Sequence, residues 1–170
     1  MLQASEELMD YSERVMRQEI SKVPDGTYEA ESWLDDDGRN LGKRLRVHVQ
    51  INVEGDEIEV DVSGSADQTP TAFNAAYSGA LCVSVYSVLR SIFLDTAVHE
   101  EFIPPNHGTF RPITVTAREG CIFNPIKPAA TFSRANQVNT AADLIIKALA
   151  PVLPNQTCAG SSANIQFASY

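Results

Sequence analysis

Two apolar stripes of period two, separated by one tight turn, constrain this chain more than any other feature. Leu45, Val47, Val49, Ile51 and Val53 alternate with polar residues, and after Glu54-Gly55-Asp56 the alternation resumes at Ile58, Val60 and Val62. Successive strand side chains point to opposite faces, so each stripe demands one buried face and one wet face. The short Gly/Asp turn between them predicts a β-hairpin. A third run, residues 27–34, also alternates and carries Tyr28 and Trp33. On the wet side Arg44, Arg46, His48 and Gln50 are expected to face Glu57, Glu59 and Asp61, a modest cross-strand gain. The expectation is three antiparallel strands.

A one-sided sheet needs a cover, and the chain offers helices. Residues 4–23 place Leu8, Tyr11, Val15, Met16, Ile20 and Val23 at helical spacing, and Pro24-Asp25-Gly26 ends the run. Residues 73–94 read as one long buried helix, with small residues Ala75, Ala76, Ser78, Gly79 and Ala80 that let another backbone approach. A further helix is expected over 139–149, stopped by Pro151 and Pro154. The fold class that follows is α+β: an antiparallel three-stranded sheet with a long buried helix, flanking helices and long Pro-rich loops, as a single domain over 1–170.

The longest of those loops, residues 99–130, holds five prolines, two glycines and two histidines. Connections of this length tend to be functional or disordered. Phe102, Ile103, Phe110, Ile113, Val115, Ile122 and Phe123 give it apolar groups to bury, which argues for order.

Composition removes several classes of function. A net charge of −9 argues against general nucleic-acid binding, which needs clustered Lys and Arg. The most apolar stretch, near 80–94, is broken by Ser84, Ser87, Arg90 and Ser91 and is no membrane span. Met1 is followed by polar, acidic residues rather than a secretory leader. Cys82, Cys121 and Cys158 are odd in number and match no zinc spacing. Together these predict a reduced, cytoplasmic protein.

Candidate chemistry is sparse. Asp35-Asp36-Asp37-Gly38 has acids and a glycine but not the register of a calcium loop, so a solvated turn is the expectation. His48, His99 and His107 stand near no G-x-S-x-G elbow and no tied cysteine, so no nucleophilic triad is expected. His99, Glu100, Glu101 and His107 lack metal-ligand spacing, and a solvated acidic patch is the better reading. No Gly-rich phosphate loop is present. What remains is a set of polar side chains: Asn74, Asn106, Arg111, Asn124, Arg134, Asn136, Gln137, Asn139 and Asn164. Amides donate and accept at once, which suits a neutral polar ligand such as a cyclic amide or ketone. A guanidinium such as Arg111 can anchor a carboxylate or phosphate.

The order of segments resembles the hydantoinase B/oxoprolinase family. DGTYEAESWLDDDG comes first, then a hairpin running into VDVSGSADQTPTAFNAA, then a helix, PPNHGTFRPITVTAREGCIFNPIKPAA, and AGSSANIQF. The resemblance covers about residues 5–167. It departs where relatives carry an N-V-x-T-S-Q-R-like run and this chain reads SRANQVNTAAD, a segment that looks like a pocket wall.

The resemblance implies an α+β middle segment of a longer B-type polypeptide. Relatives act with ATP on cyclic amides, opening N-methylhydantoin or 5-oxoproline rings, or form part of acetone and acetophenone carboxylases. The implied partner is a hydantoinase A-type ATP-binding subunit or domain within an oligomer. ATP and a divalent metal are expected in the full complex, with no metal and no cofactor bound by this chain. Substrate-positioning residues are expected at Asn74, Arg111, Asn124, Asn136 and Asn139, no catalytic residue is singled out, and the chain alone is expected to be inactive. The alternatives are a segment of a ketone carboxylase and a non-catalytic assembly domain.

Overall fold

The computed structural model describes residues 2–95 and 102–160. His99, Glu100, Glu101, Asn164 and the alternation at Ile165–Phe167 lie outside the described residues.

Three helices pack against one sheet of four strands. Helix α1 spans Leu2–Ile20; β1 spans Gly26–Leu34, β2 Leu45–Glu54 and β3 Glu57–Asp61; a π turn at Tyr77–Leu81 leads into α2, Cys82–Phe93; β4 is Ile113–Thr116; and α3 is Arg134–Leu149. The sheet order is β1-β2-β3-β4.

The hairpin forms as the stripes require, with Ile51 opposite Val60 and Val53 opposite Ile58. Val47, Val49, Ile51, Val60 and Val62 are fully buried. They form one core with Met16 and Ile20 of α1, Val85 and Leu89 of α2, and Ile145 and Leu149 of α3.

Three expectations need correction. First, the sheet is mixed and four-stranded rather than three-stranded and antiparallel. The Ile-Thr-Val-Thr alternation inside the long loop becomes β4, which runs parallel to β3 with Ile58 opposite Ile113 and Val60 opposite Val115. Its four residues are too few to stand out in sequence, but they cover the edge that β3 would otherwise expose.

Second, the long helix does not begin at 73. Residues 73–76 lie outside any helix, with Ala76 extended, because the Ala75 N–H donates sideways to the Ile122 carbonyl at 2.7 Å, and the chain enters α2 only through the π turn. Lateral hydrogen bonding overrides the helix propensity of the Ala-rich start.

Third, the wet-face charges pair across the other seam. The register sets Gln50 opposite Asp61 and Glu54 opposite Glu57. Arg46 meets Glu31 of β1 at 2.7 Å instead.

Helix boundaries also move. α1 stops at Ile20, where Val23 N–H turns back to the Ile20 carbonyl. α3 starts at Arg134, five residues before the expected start. That early start is what positions the site.

Candidate functional site

Among the five side chains singled out in sequence, three are engaged in building the fold and two stand on α3. Asn74 is fully buried. Its Oδ1 accepts the Thr69 N–H at 2.8 Å, while its Nδ2 reaches the carbonyls of Thr69, Thr71 and Ala130 at 3.1, 3.0 and 3.0 Å. It knots two loops together just ahead of α3. Asn124 donates to the Ala117 carbonyl at 3.0 Å and so closes the turn after β4.

Arg111 belongs to a clamp on α1. Its Nη1 contacts Asp10 at 2.7 Å and Glu13 at 2.8 Å. Glu13 also receives Arg17 at 2.9 Å, and Arg17 continues to Asp56 and Glu57 at the β2–β3 turn. The hydrogen bond from Arg111, followed by that from Arg17, holds the Glu13 carboxyl below its ordinary range. Nearby, Asn106 accepts the Gly108 N–H at 2.8 Å and donates to Ser12 of α1 at 2.8 Å.

Asn136 and Asn139 occupy the first turns of α3, half-buried, and both face open space. Asn136 lines a cleft of about 720 Å³ between the end of β1 and α3. Thr140, Asp143 and Lys147 continue its stripe down the helix at spacings of three and four, which keeps them on one face. Trp33, 48% exposed, and Asp35 stand across from them.

The cleft floor is held by the acidic turn. Asp36 accepts the N–H groups of Gly38 and Gly42 at 2.9 and 3.1 Å. Asp37 accepts those of Arg39 and Asn40 at 3.0 and 2.6 Å. The Asn40 backbone bond heads the causes that hold the Asp37 carboxyl below its usual range. Gly38 and Gly42 both adopt positive φ, 76° and 77°, which the turn needs and side chains resist.

Asn139 lies on a second, apolar groove of about 1070 Å³ between α2 and α3, which Asn136 also edges. Its walls carry Gly79, Val83, Ser87, Ala135 and Ala142, and the exposed ring of Phe132 stands at one end. Ser84 Oγ donates to the Val138 carbonyl at 3.0 Å and stitches the two helices together. The first turn of α3 has no side-chain cap from Ser133, whose N–H instead donates to the Ala72 carbonyl at 3.0 Å.

The remaining candidates separate. His48 sits mid-strand beside Gly64, with its Nε2 3.6 Å from Glu29, while His107 is exposed in the turn that grips α1. Burial raises the thiols of Cys82 and Cys121 above their ordinary values, leaving them poor nucleophiles. Cys158 is exposed at the rim of the β1–α3 cleft. Among the described residues no group of three His, Cys, Asp or Glu side chains is placed to hold a metal ion. No helix among them is long and apolar enough to cross a membrane.

Sequence reasoning missed Trp33, Thr140, Asp143 and Lys147 as cleft residues. Starting α3 at Arg134 would have joined Asn136 to Thr140, Asp143 and Lys147 on one stripe; Trp33, on β1, carries no such signal.

A family model for hydantoinase B/oxoprolinase matches residues 1–170. The chain is 43% identical to the B-type subunit of a putative D-/L-hydantoinase of Pseudomonas sp. (strain NS671) over 171 residues, covering 98% of this chain and 28% of that protein. It is 29% identical to the β-subunit of the caprolactamase of Pseudomonas jessenii, covering 96% of this chain and 27% of that protein. The crystal structure of the ATP-dependent caprolactamase from the same organism superposes with a TM-score of 0.73 at 30% identity, over 88% of this chain and 25% of that one. A nucleotide-free acetone carboxylase shares the fold at a TM-score of 0.75 and 14% identity, over 89% of this chain and 22% of that one. The chain thus spans about a quarter of the length of these relatives.

Proposed function

The chain belongs to the hydantoinase B/oxoprolinase family, and on that premise we propose that it forms one wall of the substrate site in an ATP-dependent cyclic-amide hydrolase. The observation that carries this reading is the α3 stripe: Asn136, Thr140, Asp143 and Lys147 facing Trp33 across a cleft of about 720 Å³. Pockets of this size, with an aromatic wall and a few convergent polar groups, suit small neutral ligands. Asn136 offers a donor and an acceptor to a planar ring amide, and Trp33 offers a flat apolar face. The contribution is orientation of the ring for attack and activation supplied elsewhere.

In this reading residues 1–170 are part of a longer polypeptide that works with an A-type ATP-binding subunit or domain within an oligomer. ATP and a divalent metal are bound by other parts of that complex. The unpaired Cys82, Cys121 and Cys158 fit a reducing cytoplasm. Similarity to a hydantoinase and to a caprolactamase supports the hydrolase over the carboxylase. A second reading, an assembly surface, is favoured by the groove between α2 and α3 with its exposed Val83 and Phe132.

The test is ATP turnover by the complete polypeptide with its A-type partner, offered hydantoins, 5-oxoproline, caprolactam and ketones with and without bicarbonate. Ring opening that needs no bicarbonate, and a KM raised about tenfold by Asn136→Ala, is expected from loss of one or two substrate hydrogen bonds. Bicarbonate-dependent turnover of a ketone would replace the hydrolase with a carboxylase. Parental kinetics in Asn136→Ala, together with failed assembly in Gly79→Leu, would leave only the assembly reading.

A further inference from the structure

We propose that Gln137 is the group that reads the ring amide of a substrate entering the β1–α3 cleft, and that it selects cyclic amides over ketones. The inference rests on the reading of that cleft as a substrate wall. Gln137 is fully buried, and neither its Oε1 nor its Nε2 has a hydrogen-bond partner among the described residues. Buried amides are almost always satisfied. Asn74, buried to the same degree, makes four hydrogen bonds.

The position of Gln137 gives the orphaned amide a use. It follows Asn136 directly and precedes Thr140 by three residues and Leu144 by seven, so helical spacing puts it on the face it shares with Thr140 and Leu144. Asn136, Thr140 and Leu144 all line the cleft. Gln137 itself is buried behind those residues and does not line the open cleft; in the proposal its carboxamide turns toward a ligand that displaces the Thr140 side chain.

The chemistry is complementary. A lactam or hydantoin ring fixes its N–H and C=O cis, side by side on one edge. A primary carboxamide presents a C=O and an N–H side by side in the same way, so the two pair through parallel hydrogen bonds. A ketone offers an acceptor alone and leaves the Gln137 oxygen unmatched. Sites built to bond a substrate N–H reject analogues that lack it more strongly than apolar pockets reject a change of size.

The experiment uses the complete enzyme with its A-type partner and compares ε-caprolactam with N-methylcaprolactam, which lacks the ring N–H. Gln137→Met keeps the side-chain length and removes the amide; Gln137→Leu serves as the second variant. The proposal expects a melting temperature equal to or above that of the parent, a KM for ε-caprolactam raised at least tenfold, and loss of discrimination against the N-methyl compound. Parental KM and parental discrimination in Gln137→Met would show that the amide holds an internal water or nothing, and would overturn the assignment while leaving the cleft intact. Loss of the fold in both variants would make Gln137 a core element and overturn it as well. A parent enzyme that opens no cyclic amide defeats the underlying reading of the cleft, and the assignment with it.

Discussion

The turn that grips α1 leaves no room for a methyl group at Gly108. A Cβ there would lie 2.0 Å from the Met9 carbonyl oxygen and 2.7 Å from the Met9 Cα. Both are backbone atoms and cannot swing aside. To restore ordinary contact, the turn and helix must part by roughly 1.5 Å, enough to forfeit most of the dispersion between them. The Asn106–Ser12 hydrogen bond at 2.8 Å does not survive that separation, and Ser12 is fully buried. Overpacking of this kind costs about 1–3 kcal/mol, and a buried hydrogen bond lost with its partner adds about 1 kcal/mol more. Gly108→Ala should therefore lose about 2–4 kcal/mol, or roughly 5–15 °C in Tm. Urea and thermal denaturation measure the loss, and hydrogen exchange over residues 2–20 localises it to α1. Gly79→Ala is the control, because nothing lies within 4 Å of its added Cβ. A Gly108→Ala protein as stable as the control, with parental exchange in α1, would refute the close-packing argument.

Asn74→Ala should cost about 2–4 kcal/mol in urea denaturation, since it strands the Thr69 N–H and takes the amide donor from three carbonyls. Glu13 has its folded pKa depressed, so its contribution is present above its unfolded value of about 4.5 and is lost as pH falls through the folded value. Protection of the α1 amides, taken relative to their intrinsic exchange rate at each pH, should fall as pH drops below about 4.5, and Glu13→Gln should show the lower protection already at neutral pH. Arg111→Ala in the assembled enzyme should leave kcat/KM within about twofold of the parent while lowering Tm, because its guanidinium is held by Asp10 and Glu13.

The hairpin was legible because its period-two stripes run for several residues on each arm and nothing competes with them. β4 was not, because four residues between Pro112 and Ala117 carry too little pattern to separate strand from loop. The start of α2 was misread for a physical reason. Ala75 and Ala76 favour a helix locally, but the Ala75 N–H is claimed by Ile122 from the far side of the chain. Asn136 and Asn139 were found by residue type alone. Thr140, Asp143 and Lys147 lie inside the expected helix, but Asn136, which heads their stripe, falls before its expected start at 139. Arg111 was singled out for its chemistry, and its partners Asp10 and Glu13 lie about a hundred residues away, beyond the reach of spacing arguments.

The motifs that carry the family resemblance are, in this structure, devices of backbone geometry. In the D-D-D-G turn, Asp36 and Asp37 collect backbone N–H groups. In the S-G-S segment, a Cβ on Gly64 would meet His48 Nδ1 at 2.5 Å, and Ser65 bonds both backbone groups of His48. The N-H-G-T-F-R run clamps α1, and the P-A-A end hands the Ala130 carbonyl to Asn74. Each acts on the frame, and together they fix where α3 begins, through Asn74 on Ala130 and Ser133 on Ala72. Most residues from Ser133 to Asp143, where the resemblance departs, line the clefts on either side of α3. A frame held by backbone contacts tolerates change in the side chains it displays. Exchanging Asn136, Gln137, Asn139 and Thr140 for the residues of a relative should therefore move substrate preference with little loss of Tm, whereas exchanging the Asn106–Arg111 turn should do the reverse.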